Sequence, residues 1–180
     1  MPESASKQQS AVPLAPLTTL RVGGVASSFR EVTSEAEFIE AVVRADERGE
    51  PLLRIAGGSN LVIADEGFDG LTVHIATEGI EVQSPVAVDD EQTLVRVAAG
   101  HNWDRFVAQV VSDGYSGIET LSGIPGSVGA TPVQNVGAYG NEVAEVISSV
   151  EVFDRQAREL RTLDAHECDF SYRHSIFKAN

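Results

Sequence analysis

The run from Leu121 to Asn141, LSGIPGSVGATPVQNVGAYGN, decides how this chain is read. It holds five glycines, two prolines and no charged residue, in a chain whose net charge is −14. Gly123, Gly126 and Gly129 recur at every third position, and Gly137 and Gly140 frame Ala138 and Tyr139. A loop of this length inside a compact domain is either functional or disordered. The lack of charge and of Ser, Glu and Lys enrichment argues against disorder. Leu121, Ile124, Val128, Val133 and Val136 predict burial instead. Buried backbone N–H groups need acceptors, and a planar cofactor with carbonyls and phosphates supplies them. The run therefore reads as a cofactor bed, and ATPVQNV (Ala130 to Val136) within it has room for a short helix.

Two further stretches bear on the same question. AGGSN (Ala56 to Asn60) follows the buried strand pattern LLRIA. Gly57 and Gly58 can adopt positive φ and let N–H groups approach a phosphate, with Ser59 and Asn60 as side-chain donors. A plain tight turn fits the same pentapeptide. There is no Walker lysine and no G-x-G-x-x-G, so those phosphate loops find no support. SYRHSIFK (Ser171 to Lys178) gathers Tyr172, Arg173, His174 and Lys178, either as a solvated basic end or as a site where Arg173 offers a planar donor to a carboxylate. His174 reads as a surface histidine, His101 and Trp103 as helix-start and core residues, and Cys168 as a buried, inert thiol.

The remaining pattern mixes strands and helices. TTLRVGG (Thr18 to Gly24) is expected to form a short strand ending in a glycine turn. Ser34 and Glu37 form a capping box for a helix with Phe38, Ile39, Val42, Val43 and Ala45 on its apolar face, stopped by Gly49 and Pro51. LTVHIA (71–76) and TLVRVAAG (93–100) predict strands. Asn102 caps a second helix with Trp103, Phe106, Val107, Val110 and Val111 at helical spacing, ended by Gly114. Residues 145–163 predict a strand, a turn near 154–157 and a strand, and DAHE (164–167) a second capping box. Without clean βαβ alternation the expected class is α+β. Residues 1–16 are expected to be a disordered tail, 17–80 a first lobe and 81–180 a second, with the boundary in the polar stretch 77–90.

Bulk properties narrow the function. The 42% hydrophobic and 22% charged composition is that of a globular protein, and no apolar run is long enough to span a membrane. The start has no signal-peptide pattern, and the single cysteine fits a reducing compartment, so a cytoplasmic location is expected. The acidic balance disfavours nucleic acid and anionic membrane surfaces but leaves a locally held small anion possible.

AGGSNLVI, GIPGSVGATPVQNVGAYG and YRHSIFK, in this order and spacing, closely resemble the flavin-binding part of the UDP-N-acetylenolpyruvoylglucosamine reductase family, and TTLRVGG is similar to that family's opening segment. The likeness covers about Leu17 to Lys178. It implies a two-lobed FAD-binding fold of the vanillyl-alcohol oxidase type, with noncovalent FAD between the lobes and with AGGSN and GIPGSVGA facing each other. It implies that Gly57, Gly58, Ser59 and Asn60 meet the diphosphate. Ile124, Pro125, Gly126, Ala130, Val136, Gly137 and Ala138 would lie along the isoalloxazine and ribityl portion. Leu61, Gly123 and Ser127 would be further cofactor contacts. The implied reaction is hydride transfer from NADPH to the flavin and then to the enolpyruvyl group of a UDP-sugar, giving UDP-N-acetylmuramate for peptidoglycan synthesis. Arg173 matches the arginine the family uses at the substrate carboxylate, and Tyr139 and Tyr172 are candidate substrate contacts. No metal site is expected. The family's proton-donating serine and carboxylate-assisting acid lie in a C-terminal substrate domain, which these 180 residues are expected to lack. A noncatalytic flavin-binding module, or a flavin oxidoreductase of the same fold with another substrate, are the alternatives.

Overall fold

The computed structural model describes residues 8–83 and 92–178. Contacts divide the chain into two compact units, residues up to Thr77 with Glu151–Arg161, and Glu78–Val150 with Thr162 onward. Part of the expected boundary stretch, residues 84–90, lies outside the described residues.

The first unit is built on a four-stranded sheet of β1 (Val12–Pro13), β2 (Val25–Val32), β3 (Leu52–Ile55) and β4 (Phe68–Ile75) in the order β1-β2-β4-β3. Strands β2, β4 and β3 run parallel and β1 is antiparallel to β2. The crossover from β2 to β3 is helix α1 (Glu35–Arg48). The Ser34 side chain accepts from Glu37 N, as the expected capping box requires. The Glu37 carboxylate accepts from Thr33 N at 2.8 Å, one residue before the position the box uses, and Gly49 closes the helix in the left-handed conformation. Ala41 and Ala45 on α1 pack against Val32, Leu71 and Val73 of the sheet. The other side of the unit is a cluster of Leu14, Ala26, Phe29, Ile55 and Ile63.

Two expectations are corrected here. Residues 1–7 of the expected tail lie outside the described residues, but 8–16 are ordered into the sheet. Val12 and Pro13 pair with Ala26 and Val25, Gln9 bridges to Phe29, and Leu14 is fully buried. One well-placed leucine anchors a segment whose composition reads as tail. TTLRVGG is not a strand. Arg21 sits at φ 58°, Thr19 N donates to Gly58 O and Gly24 N donates to Ala64 O, which makes it a loop knitted onto 58–64. The strand begins just beyond it, at Val25.

In the second unit β5 (Ile80–Gln83) pairs antiparallel with β6 (Leu94–Val97). Helix α2 (Trp103–Ser112) is capped by Asn102, whose Oδ1 accepts from Arg105 N. Its face of Trp103, Phe106, Val107 and Val110 forms one core with Ile118, Leu121, Val136 and Val143. Trp103 Nε1 donates to Leu121 O at 2.8 Å, so the indole anchors the start of the glycine-rich run.

After the short strands β7 (Gly137–Ala138) and β8 (Asn141–Glu142), β9 (Ser149–Asp154) and β10 (Glu159–Asp164) pair as a hairpin. Glu151–Arg161, expected in the second lobe, groups with the first unit. Arg155 forms an ion pair with Asp46, and Arg158 one with Glu47 at 3.1 Å, at the end of α1. The Arg155 hydrogen bond holds the Asp46 carboxyl below its ordinary pKa.

Candidate functional site

In AGGSN, the turn after β3, Gly57, Ser59 and Asn60 are exposed, Gly58 is buried and Leu61 is half-buried against the Leu14 cluster. Gly58 has φ 61°, and a Cβ there would lie 1.9 Å from Leu17 O. The left-handed backbone expected at this glycine is present, but its close approach is to the chain's own 17–19 segment. Gly57, Ser59 and Asn60 are the members of this turn that present their surfaces to solvent.

The glycine-rich run is folded on itself in short pieces. It contains 3₁₀ turns at Val128–Ala130 and Pro132–Gln134, the latter inside the expected helical window, then the tight hairpin β7 (Gly137–Ala138) and β8 (Asn141–Glu142). Many of its N–H groups find partners in the chain. Gly123 N donates to Asp104 Oδ1 at 2.6 Å, Val128 N to His101 O at 2.9 Å and Gly129 N to Ala99 O at 2.8 Å. Fewer of the run's N–H groups are therefore left for a ligand than the sequence predicts. Gly129 is needed for packing, since a Cβ there would meet Ala99 Cβ at 2.6 Å. Gly126 has φ 130°, a conformation that excludes most side chains. Gly123 and Pro125 are exposed, and Ile124, Gly126, Ala130, Gly137 and Ala138 are half-buried. Val136 belongs to the core beside Leu121.

Ser127 stands apart. It is 2% exposed and its Oγ has no hydrogen-bond partner, as is true of His101 Nδ1 on the segment bridged to it. A buried unpaired hydroxyl costs roughly 1–3 kcal/mol. Thr72 Oγ1, inside the first unit's sheet, is also without a partner. Only Ser127 and His101 lie on the glycine-rich run or the backbone paired with it. A polar ligand group at the run would satisfy them, so these residues fit FAD. The sequence marks His101 only as a helix-start residue, because nothing local signals that its Nδ1 is buried without a partner.

The entrance to the run is held by Asp104. Its Oδ1 accepts from Gly123 N and from Ser122 Oγ, and these bonds, the backbone one first, hold its pKa below the ordinary aspartate value. A depressed carboxyl contributes stability above its unfolded pKa and loses it as pH falls through the folded value. The Gly123 amide resonance is expected to follow Asp104 ionisation, with a midpoint below the value of an unperturbed aspartate. A midpoint at or above that value, or an unchanged Gly123 shift in Asp104→Asn, would contradict the assignment.

A second grouping forms around the hairpin tip. Tyr139 is 91% exposed and Tyr172 82% exposed. Ser171 and His174 exchange backbone hydrogen bonds, making a turn that carries Tyr172 and Arg173. Arg173 Nη2 donates to Gly137 O at 3.4 Å, and Lys178 Nζ to Arg173 O at 3.0 Å. The structure thus brings Arg173 to the Gly137–Tyr139 hairpin, across 36 positions of sequence. Tyr139, Arg173 and Asn135 all have positive φ, at 54°, 54° and 45°. Asparagine adopts this region readily, whereas tyrosine and arginine do so at a cost, and Ala11, Arg21, Arg158 and Asp169 elsewhere in the chain adopt it too.

Cys168 is buried, and desolvation, with the nearby Glu167 and Asp164 carboxylates, raises its thiol pKa. Asp164, His166 and Glu167 lie close together and exposed, with Asp164 and Glu167 closing the predicted capping box. Among the described residues, no helix is long and apolar enough to cross a membrane.

A family model described as FAD binding domain matches residues 26–163, and the chain belongs to that family. Among curated proteins it is 52% identical over 167 residues to the UDP-N-acetylenolpyruvoylglucosamine reductase of Streptomyces coelicolor, covering 93% of this chain and 42% of that protein. The reductase of the same name from Thermobifida fusca is also 52% identical, with 93% and 46% covered. The chain thus spans less than half the length of these relatives, and it is similar to their N-terminal part. Among solved structures, the enzyme of that name (MurB) from Thermus caldophilus superposes with a TM-score of 0.71 at 28% identity, over 94% of this chain and 56% of that one. A vanillyl-alcohol oxidase-type flavoprotein from Myceliophthora thermophila superposes with a TM-score of 0.58 at 13% identity, over 78% and 27%. The fold is the α+β FAD-binding fold of that type, as expected from the sequence.

Proposed function

We propose that this chain provides the FAD-binding part of an NADPH-dependent UDP-N-acetylenolpyruvoylglucosamine reductase, acting in peptidoglycan precursor synthesis in the cytoplasm. The observation that carries the reading is the meeting of Arg173 with the Gly137–Tyr139 hairpin on a chain of the FAD binding domain family. When bound, FAD supplies hydride transfer between NADPH and the enolpyruvyl group. Gly57, Ser59 and Asn60 in the first unit offer exposed donors for a diphosphate, and in the second unit Ser127 Oγ is a buried hydroxyl without a partner, suited to a polar ligand group. Arg173 presents a fixed planar cation to the substrate carboxylate. Hydride addition to an enol ether conjugated to a carboxylate places negative charge on that carboxylate. A preorganised guanidinium stabilises this charge more than the ground state. Tyr139 and Tyr172, both exposed, are the candidate contacts of the UDP-sugar.

The chain is expected to bind FAD in a fluorescence titration. Anaerobic NADPH is expected to bleach the flavin absorbance, and the enolpyruvyl UDP-sugar to restore it in any assembly that turns over. Flavin that NADPH leaves oxidised would refute the NADPH assignment. Bleaching by NADPH without recovery on that substrate, in a protein of the relatives' full length, would favour an oxidoreductase with another substrate.

A further inference from the structure

We infer that Asn135 is a positioning residue that locks the Tyr172–Arg173 turn to the Tyr139 hairpin through its side-chain amide. The inference deepens, and rests on, the reading of Arg173 as the carboxylate-binding cation. Asn135 is 1% exposed and lies in the second unit, between the Pro132–Gln134 turn and β7. Its φ of 45° suits asparagine better than most residues. All three polar positions of its amide are used. Nδ2 donates to Glu142 Oε2 at 2.7 Å and to Ser171 O at 3.1 Å, and Oδ1 accepts from Ala144 N at 3.1 Å.

These partners are chosen tellingly. Glu142 and Ala144 belong to β8 and the turn after it, which fix the hairpin bearing Tyr139. Ser171 is the first residue of the turn bearing Tyr172 and Arg173, and its carbonyl also accepts from His174 N at 3.0 Å. The two substrate-facing segments are 36 residues apart and are joined at this point by one buried side chain. The Arg173 guanidinium adds only a 3.4 Å bond to Gly137 O, so the shorter Asn135 bonds carry the register between turn and hairpin. Ser175, fully buried, steadies the same segment from its other end by donating to Val133 O at 2.7 Å. A buried amide with every donor and acceptor paired specifies one arrangement, because any displacement strands a desolvated polar group.

The amide can be inverted with little change of shape. Asn135→Asp replaces both donors with an acceptor that faces Glu142 Oε2 and Ser171 O. Amide hydrogen exchange at Ser171 and His174 is expected to rise at least tenfold, with exchange in α1 and β4 unchanged. Binding of the enolpyruvyl UDP-sugar, measured by calorimetry in a protein of the relatives' full length, is expected to weaken at least tenfold. Adding Glu142→Gln returns a donor to the residue-142 side of the pair and is expected to recover part of both losses, the Ser171 carbonyl still lacking its donor, whereas a general loss of packing would not be relieved. Asn135→Gly, which tolerates the backbone angle but lacks the amide, is expected to loosen the same turn and covers the case in which Asn135→Asp does not fold. Parent-like exchange at Ser171 and His174 in the folded variants would overturn the inference. If a protein of the relatives' full length binds the enolpyruvyl UDP-sugar equally well with Arg173 or with Arg173→Ala, the substrate reading fails, and the exchange data alone decide whether Asn135 ties turn to hairpin.

Discussion

Gly58→Val is expected to unfold or severely loosen the first unit and to weaken FAD binding by more than tenfold as a consequence. Two costs combine. A β-branched residue at φ 61° is strained by roughly 1–3 kcal/mol. The new Cβ would also lie 1.9 Å from Leu17 O, and relieving that overlap adds about 1–3 kcal/mol. The segment it displaces carries the fully buried Leu14 and the bond from Thr19 N to Gly58 O at 3.1 Å. Against a total stability of about 5–15 kcal/mol, a loss of this size is large. Urea denaturation and flavin titration should move together. Gly57→Ala, at the exposed neighbour without positive φ, should leave the denaturation midpoint close to the parent's and so report on ligand approach alone. Gly126→Val, at φ 130°, should weaken FAD by more than tenfold through the second unit. Parent-like denaturation and flavin curves for Gly58→Val would show that Leu17 can move aside without cost.

Arg173→Lys is expected to slow flavin reoxidation by the enolpyruvyl UDP-sugar by about a hundredfold or more while leaving reduction by NADPH nearly unchanged. Lysine keeps the charge but loses the planar two-point donor. The step involving no substrate carboxylate should not notice. The measurement needs a protein of the relatives' length, for instance residues 8–178 joined to the remaining part of the Streptomyces coelicolor reductase, with the two half-reactions followed separately by stopped flow. Equal loss in both half-reactions would mean that Arg173 supports the fold or the flavin rather than the substrate. Unchanged reoxidation would remove it from the site. Robust turnover by the 180 residues alone would show that the proton donor is within them or is water.

Much of this protein was determined by local sequence. The caps at Ser34 and Asn102, the apolar faces of both helices, the strands after Pro51 and Thr93 and the capping box at Asp164 are set by residues within a few positions of one another. The ordered motifs AGGSNLVI, GIPGSVGATPVQNVGAYG and YRHSIFK likewise carried the flavin-binding likeness without any coordinates. Other features could be decided only in three dimensions. Strand β2, VASSFREV, lacks a clean alternation because a register shift near Ser28 and the buried Arg30, paired with Glu40 at 2.7 Å, interrupt it. Residues 8–16 read as tail until Leu14 meets Phe29 and Ile55. The requirement for glycine at 58 comes from a carbonyl 41 positions earlier, and the union of Arg173 with Gly137 from a turn and a hairpin that share no local pattern. Sequence specifies what each segment can bury and which hydrogen-bonding groups it must satisfy. Which distant partner satisfies them is settled when the core closes, because only then does an unpaired buried group become costly.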